Sequence, residues 1–411
     1  MSRYAREKTE PALKPVQRIE LSDKNTKLRV IIVIVAIVVA ALAIGYGVHS
    51  CLSAEAGWTK IDVSSIANSV AGEFLFNYEL GQGSASATTE RKTLTALYAA
   101  AAVEAYKLYD PFAEDGGLRE IIEKPGVEVK IDSDLYSALE TTVKACGRLI
   151  YREPYNEIYE LLAGAEDDEV AASYDPRKNA DMRARFDKIA AFINDENSID
   201  LKFLGSNKVR LDVSDEYKAF AAENEIYSYI GFSWLKNAFA ADHIAERLRN
   251  AGYTLGYLTS MDGFTVYLNG ADSVYSVNLY AAAENGIGVV CTPELKGAVS
   301  GVYLRCFPIS SRTGGYVYGD GSFVMPYADD NGDSKTAAEV LYMYSGTKSC
   351  AQVALEAANI YLSDNIDEQA LKQALDGGTC ALYINKGVIR YTDEDLTLSG
   401  VSGSYSTGVI K

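Results

Sequence analysis

An α+β fold is predicted for this chain: antiparallel sheets with interspersed helices, behind one N-terminal transmembrane helix. Three observations carry it. An apolar run at 30–48 is long enough to cross a bilayer, and strand-like runs joined by short Gly- and Asn-containing turns recur along the chain. Helical periodicities are interspersed among those strands rather than organised as a parallel doubly wound sheet.

The first 29 residues hold eight Lys/Arg and four Asp/Glu, a net +4, and the next basic residue after the apolar run is Lys60. That asymmetry keeps the basic tail (1–29) in the cytoplasm and places the chain after residue 48 outside the membrane. The run itself is interrupted only by Gly45, Tyr46 and Gly47. At ~1.5 Å per residue it spans roughly 28 Å, about the thickness of a hydrocarbon core. A cleaved signal peptide is disfavoured by the long basic tail and by the lack of a clear small-x-small cleavage site. The rest of the chain carries −21, against −17 for the whole, which argues against nucleic acid as a partner. The six cysteines show neither CxxC nor zinc-type spacing. Cys146 shares a helix face with Leu135, Leu139 and Val143 and reads as a small buried hydrophobe. Cys291 and Cys306 lie in neighbouring strand-like runs and could pair.

Residues 49–69 read as a stem, 70–395 as the folded domain and 396–411 as a C-terminal tail. Within the domain, 73–80 (EFLFNYEL) alternates like a first strand, and a Gly/Ser loop leads to an Ala-rich helix at 89–108. Ser133 is expected to cap the next helix. The mixed segment 151–180 reads as a surface excursion. Phe186, Ile189, Ala190 and Ile193 mark another helix, and 199–213 a hairpin turning at Gly205-Ser206-Asn207-Lys208.

The stretch 226–268 organises the rest. Ala241, Ile244, Ala245 and Leu248 form the apolar face of a helix closed by Gly252, and two strands follow with Asp262-Gly263 in their turn. The loop 231–237 feeds the helix N-terminus, where unpaired N–H groups and the helix dipole favour an anion. It is the first place to look for phosphate chemistry. Strands are then expected at 273–280, 287–291, 302–307, 316–318 and 322–325. Helices are expected near 336–345, 349–363 and 367–376, and a hairpin at 381–391 closes the domain. Asp329, Asp330 and Asp333 read as a solvated turn, since Ser334 stands where an EF-hand loop needs glycine.

In order along 70–395, several motifs resemble those of the FAD:protein FMN transferases, the ApbE-like family. KLYDPFAEDGGLREI with GVEVKIDSDLYSALETTVKAC is similar to the family's Ser-x-Tyr-x-x-x-Ser segment and following helix. IGFSWLKNAFAADHIAERLRNAG resembles its Asp-Leu-Gly-Gly-Ile-Ala-Lys-Gly-Tyr-Ala-x-Asp motif, and LTSMDGFTVYL its Gly-Gly-Asn/Asp turn. GAVSGVYLRCFPISSRTGG resembles its Thr-Ser-Gly-x-Tyr and His-x-x-Asp-Pro-x-Thr-Gly pair. The resemblance implies a T-fold-type domain, FAD as substrate, and magnesium bridging its pyrophosphate. FMN would pass to a Ser/Thr hydroxyl of an acceptor protein as AMP leaves. It also implies that Asp242, Gly263, Ser300, Gly301, Tyr303, Arg312, Thr313 and Gly314 contact the flavin nucleotide, Arg312 being the forked cation suited to phosphate.

The sequence departs from the family pattern where its chemistry is concentrated. Phe307 stands in place of the His and Ser310 in place of the Asp. Ser233-Trp234 replaces the Gly pair, and Asn237 replaces the Lys with Lys236 beside it. Lys335 and Glu339 occupy the two metal-ligand positions, and a lysine cannot replace an anionic magnesium ligand. No catalytic residue is assigned, although Lys236, Asp242 and His243 could form an acid–base set new to the family. The expectation is a membrane-anchored, extracytoplasmic pseudoenzyme. It would bind a flavin or adenine nucleotide, or serve as a scaffold in an envelope redox or assembly complex. The alternative is an active magnesium-dependent transferase modifying a partner protein.

Overall fold

Antiparallel pairing organises the described chain, which in this computed structural model comprises residues 54–63, 65–269, 273–283, 286–309 and 314–411. The basic tail, the apolar run at 30–48, Ser310, Arg312 and Thr313 lie outside these residues. Among the described helices, none is long and apolar enough to cross a membrane.

β1 (Gly57–Ile61), from the expected stem, pairs with β2 (Phe74–Leu80), whose alternating burial matches its pattern. Helix α1 (Ala87–Tyr109) starts at the Ser86 cap. After α2 (Gly117–Glu123) and β3 (Glu128–Lys130) comes α3 (Ser133–Cys146). Its cap is Asp132, one residue earlier than expected, whose carboxylate accepts from the Asp134 N–H.

The segment read as a surface excursion contains α4 (Glu153–Ala163), whose Tyr155, Ile158, Tyr159 and Leu162 are core residues. Its acidic residues mimic a solvated face, but Glu153 is buried as well. α5 (Asp168–Tyr174), α6 (Ala180–Ile193), the β4–β5 hairpin (Ile199–Gly205, Lys208–Val213) and α7 (Asp215–Glu223) complete this part.

The central unit forms as expected: α8 (Lys236–Asn250), β6 (Gly256–Ser260) and β7 (Phe264–Tyr267). The expected 273–280 strand splits into β8 (Val274–Ser276) and β9 (Leu279–Ala283), both pairing with the bulged β10 (Gly286–Lys296). β11 (Ser300–Arg305), β12 (Tyr316–Val317) and β13 (Phe323–Val324) follow. The helix expected near 336–345 is instead β14 (Val340–Ser345), buried along its whole length. VLYMY is an unbroken run of apolar and aromatic residues, and a strand covered on both faces loses the alternation that separates it from a helix. α9 (Cys350–Tyr361) and α10 (Glu368–Asp376) lead into the hairpin β15 (Thr379–Asn385) and β16 (Val388–Tyr391). The expected tail adds β17 (Thr397–Ser399) and β18 (Ser406–Val409).

The main sheet has nine strands in the order β1-β2-β6-β7-β11-β14-β15-β16-β18, antiparallel throughout except for the last pair. Helices α1, α8 and α9 cover one face, with Ala241, Ile244, Ala245 and Leu248 of α8 fully buried. The other face presents Tyr267, Tyr303, Tyr342 and Leu382 to Leu279, Val290 and Leu295 of the smaller sheet. Cys291 and Cys306 are free thiols, and burial pushes both up to about 11. The α+β class and antiparallel sheets match the sequence reading.

Candidate functional site

Where α8 begins, several segments enclose a cleft of about 280 Å³. Gly72 and Glu73 come from the turn before β2, Asn156 and Glu160 from α4, and Ser233 and Trp234 from the turn before α8. Lys236 and Asn237 belong to the first turn of α8, and Asp262 and Phe264 to the β6–β7 connection. Gly314, Pro326 and Tyr327 close the remaining side. Aromatic rings wall one part: Trp234 lies 4.9 Å from Tyr327 edge-on and stacks toward Phe264 at 6.4 Å.

The polar part is an interlocked network. Lys236 Nζ lies 2.9 Å from Asp110 Oδ2 and 3.2 Å from Glu73 Oε1. The Asn237 amide donates to Glu73 Oε2 at 2.9 Å and to Asp262 Oδ2 at 3.0 Å. Ser260 Oγ donates to the other Asp262 oxygen. Burial, partly offset by the Ser260 bond, raises the Asp262 carboxyl to about 6. For Lys236 burial opposes the charge, but Glu73, Asp110 and Glu160 outweigh it and hold the ammonium protonated. Such a lysine is neither a proton acceptor at neutral pH nor a free cation for phosphate.

The loop 231–237, expected to attract an anion, is already served by a carboxyl of the chain itself. Glu153, 2 % exposed, accepts from the Ser233 N–H at 2.8 Å and from the Asn156 amide at 3.1 Å. Ser233 has φ +48°, a left-handed conformation that costs a non-glycine residue energy and needs such an anchor. Gly231 packs directly on this carboxyl, where any Cβ would overlap it. Four residues on, Glu157 accepts from the Tyr227 and Ser228 N–H groups at 3.2 and 2.7 Å.

Burial raises both of these carboxyls to about 7. A carboxyl raised by folding contributes most when protonated, so its stability is present at acid pH and is lost as pH rises through 7. Urea unfolding of the full chain will therefore show stability falling from about pH 4.5 to pH 7, by about 3 kcal/mol for Glu153 alone. A flat profile over that interval would contradict the buried placement.

Of the residues the resemblance assigned to the nucleotide, Gly314 lines the cleft. Gly263 sits between two lining residues, but with φ +113° it packs on the Tyr303 carbonyl and serves the strand turn. Asp242 accepts from Cys350 N and Ala351 N, both at 2.8 Å, and so anchors the start of α9. Ser300 Oγ donates to the Lys348 carbonyl, Gly301 packs under the Tyr342 ring, and the Tyr303 hydroxyl meets the Tyr280 backbone. Lys236, Asp242 and His243 do not converge, because His243 faces Glu104 at 3.3 Å and Asp134 at 3.6 Å. Two aspartates of the 329–333 turn pair with arginines, Asp330 with Arg152 and Asp333 with Arg183 at 2.6 Å, and Asp329 lies 3.8 Å from Lys335.

Sequence reasoning missed Glu73, Asn156, Glu160, Trp234 and Tyr327 as cleft residues. Only the departure at Ser233-Trp234, beside Lys236, gave a local signal. The others are brought together by tertiary packing.

With this geometry in hand, no family model matches the chain, and neither does any curated protein. Solved structures do. The ApbE protein of Thermotoga maritima aligns with a TM-score of 0.56 at 11 % identity, over 80 % of this chain and 94 % of that one. The flavin transferase ApbE from Vibrio cholerae aligns with a TM-score of 0.53 at 13 % identity, over 85 % and 99 %. The fold is ApbE-like.

The metal-held pyrophosphate that the motif resemblance implies does not fit the described residues. Lys335, at one expected metal-ligand position, pairs with Asp364 at 2.9 Å. Glu339, at the other, accepts from the Lys386 N–H at 2.9 Å. The N–H loop holds Glu153, and Lys236 is neutralised by two carboxylates. A planar heteroaromatic ring, by contrast, suits the Trp234, Phe264 and Tyr327 walls.

Proposed function

We propose that this ApbE-like protein binds a flavin-type or adenine ring in the Trp234–Tyr327 cleft and does not transfer FMN. One observation carries the reading: the Ser233 N–H, at the loop that feeds the start of α8, is occupied by the buried Glu153 carboxyl. The paired state of Lys236 supports it, since no basic side chain in the described cleft is free to deprotonate an acceptor hydroxyl. The apolar run at 30–48 and the positive flank before it support a membrane anchor with the folded domain outside the cell. A ring-binding role beside an envelope redox or assembly complex suits that address.

The test is direct. The purified full chain is incubated with FAD, magnesium and a Ser/Thr flavin-acceptor peptide, then followed for AMP and for acceptor mass. No AMP above the protein-free rate is expected, together with measurable heat on titrating a flavin. Turnover would overturn the proposal. Absence of both turnover and heat would leave the fold as a scaffold only.

A further inference from the structure

We propose that the cleft selects by charge, taking a cationic, N–H-rich planar ring and rejecting phosphorylated ones; this rests on the ring-binding reading above. Among the described residues its polar lining carries three carboxyls, Glu73, Glu160 and Asp262, against the ammonium of Lys236, itself shared with Asp110 behind it. The buried guanidinium of Arg305 bonds the Met261 carbonyl and is not among the lining groups.

A second observation is independent of that charge. Asn237 Oδ1 and Ser233 Oγ are buried atoms of lining residues only 5 % and 7 % exposed, and neither finds a hydrogen-bond partner among the described residues. Buried polar atoms left unpaired are uncommon and costly. The Asn237 oxygen can only accept, because its amide nitrogen already serves Glu73 and Asp262. The complement is a ligand N–H. Trp234 and Tyr327 line the same space, with Phe264 stacked behind Trp234, and aromatic rings attract a delocalised cation more than a neutral ring.

Three planar tricyclic probes of similar size separate charge from shape: proflavine (a cationic diaminoacridine), lumiflavin (neutral) and FMN (anionic). Each is titrated calorimetrically into the full chain at about 0.15 M salt, where distant surface charge is screened. One net charge a few ångströms from the site is worth about tenfold or more in affinity. Proflavine is expected to bind about tenfold more tightly than lumiflavin, with FMN weaker again, and Asp262→Asn should narrow the first gap.

Below about pH 6 the Asp262 carboxyl protonates, so proflavine affinity should fall from pH 7.5 to pH 5. Glu73, Glu160, Asp110 and Lys236 face the same space. Equal affinity for all three probes, or a preference for FMN, would overturn the charge selection while leaving ring binding intact. Failure of every probe to bind would overturn both. A proflavine preference unchanged in Asp262→Asn and flat with pH would place the cation on the acidic surface and also overturn the proposal.

Discussion

Lys236→Met will destabilise the protein by about 3–5 kcal/mol, because it leaves Asp110 and Glu73 facing each other without their shared cation. The Lys236 and Asp110 side chains are 21 % and 12 % exposed, so solvent cannot fully replace the lost ammonium. The damage will not stay local. The Asn237 amide ties Glu73 to Asp262, so the turn before β2 and the β6–β7 turn share one network. Urea unfolding should show a lower midpoint with an unchanged slope. Adding Asp110→Asn should recover part of the loss, and the coupling in that double-mutant cycle measures the pair itself. A loss below about 1 kcal/mol would mean that the network behaves like an exposed surface pair.

Gly263→Ala will be comparably severe, at about 3–5 kcal/mol, for two reasons that can be separated. Its φ of +113° is unfavourable for any side chain, and a Cβ would overlap the Tyr303 carbonyl oxygen. The strands cannot part to relieve this, since the Tyr303 N–H donates back to the Gly263 carbonyl at 2.9 Å. Gly57 gives the control. Its φ is +117°, yet an added Cβ meets nothing within 4 Å. Gly57→Ala should therefore show only the backbone cost, about 1–2 kcal/mol. Equal losses at the two positions would assign the whole effect to backbone conformation.

These two positions also mark what the sequence could and could not reveal. Local chemistry was legible: the Asp262-Gly263 turn, the apolar face of α8, the β4–β5 hairpin and the helix opened by Ser349 all form where pattern and turn residues put them. β14 was not, because burial on both faces removes the period that identifies a strand. α4 was misread for the opposite reason. Its glutamates resemble a wet surface until α4 is packed beneath the 226–233 segment, where Glu153 and Glu157 hold backbone N–H groups.

The cleft was half legible. The motif resemblance pointed to the turn before α8 and to Lys236, which line this cleft, but other residues it singled out, Asp242 and Tyr303, brace α9 and the Tyr280 strand. Which carboxyl meets which donor depends on contacts between residues up to 164 positions apart, as with Glu73 and Asn237. No spacing rule reaches that far.

Crystals of the chain grown with lumiflavin and, separately, with FAD and magnesium decide whether the cleft takes a bare ring or a pyrophosphate. The lumiflavin ring is expected against Trp234 and Tyr327, and neither crystal is expected to hold pyrophosphate in the cleft, with the Glu153 carboxyl on the Ser233 N–H in both. Pyrophosphate bound to that N–H, with Glu153 swung away and a metal ion coordinated beside it, would contradict this.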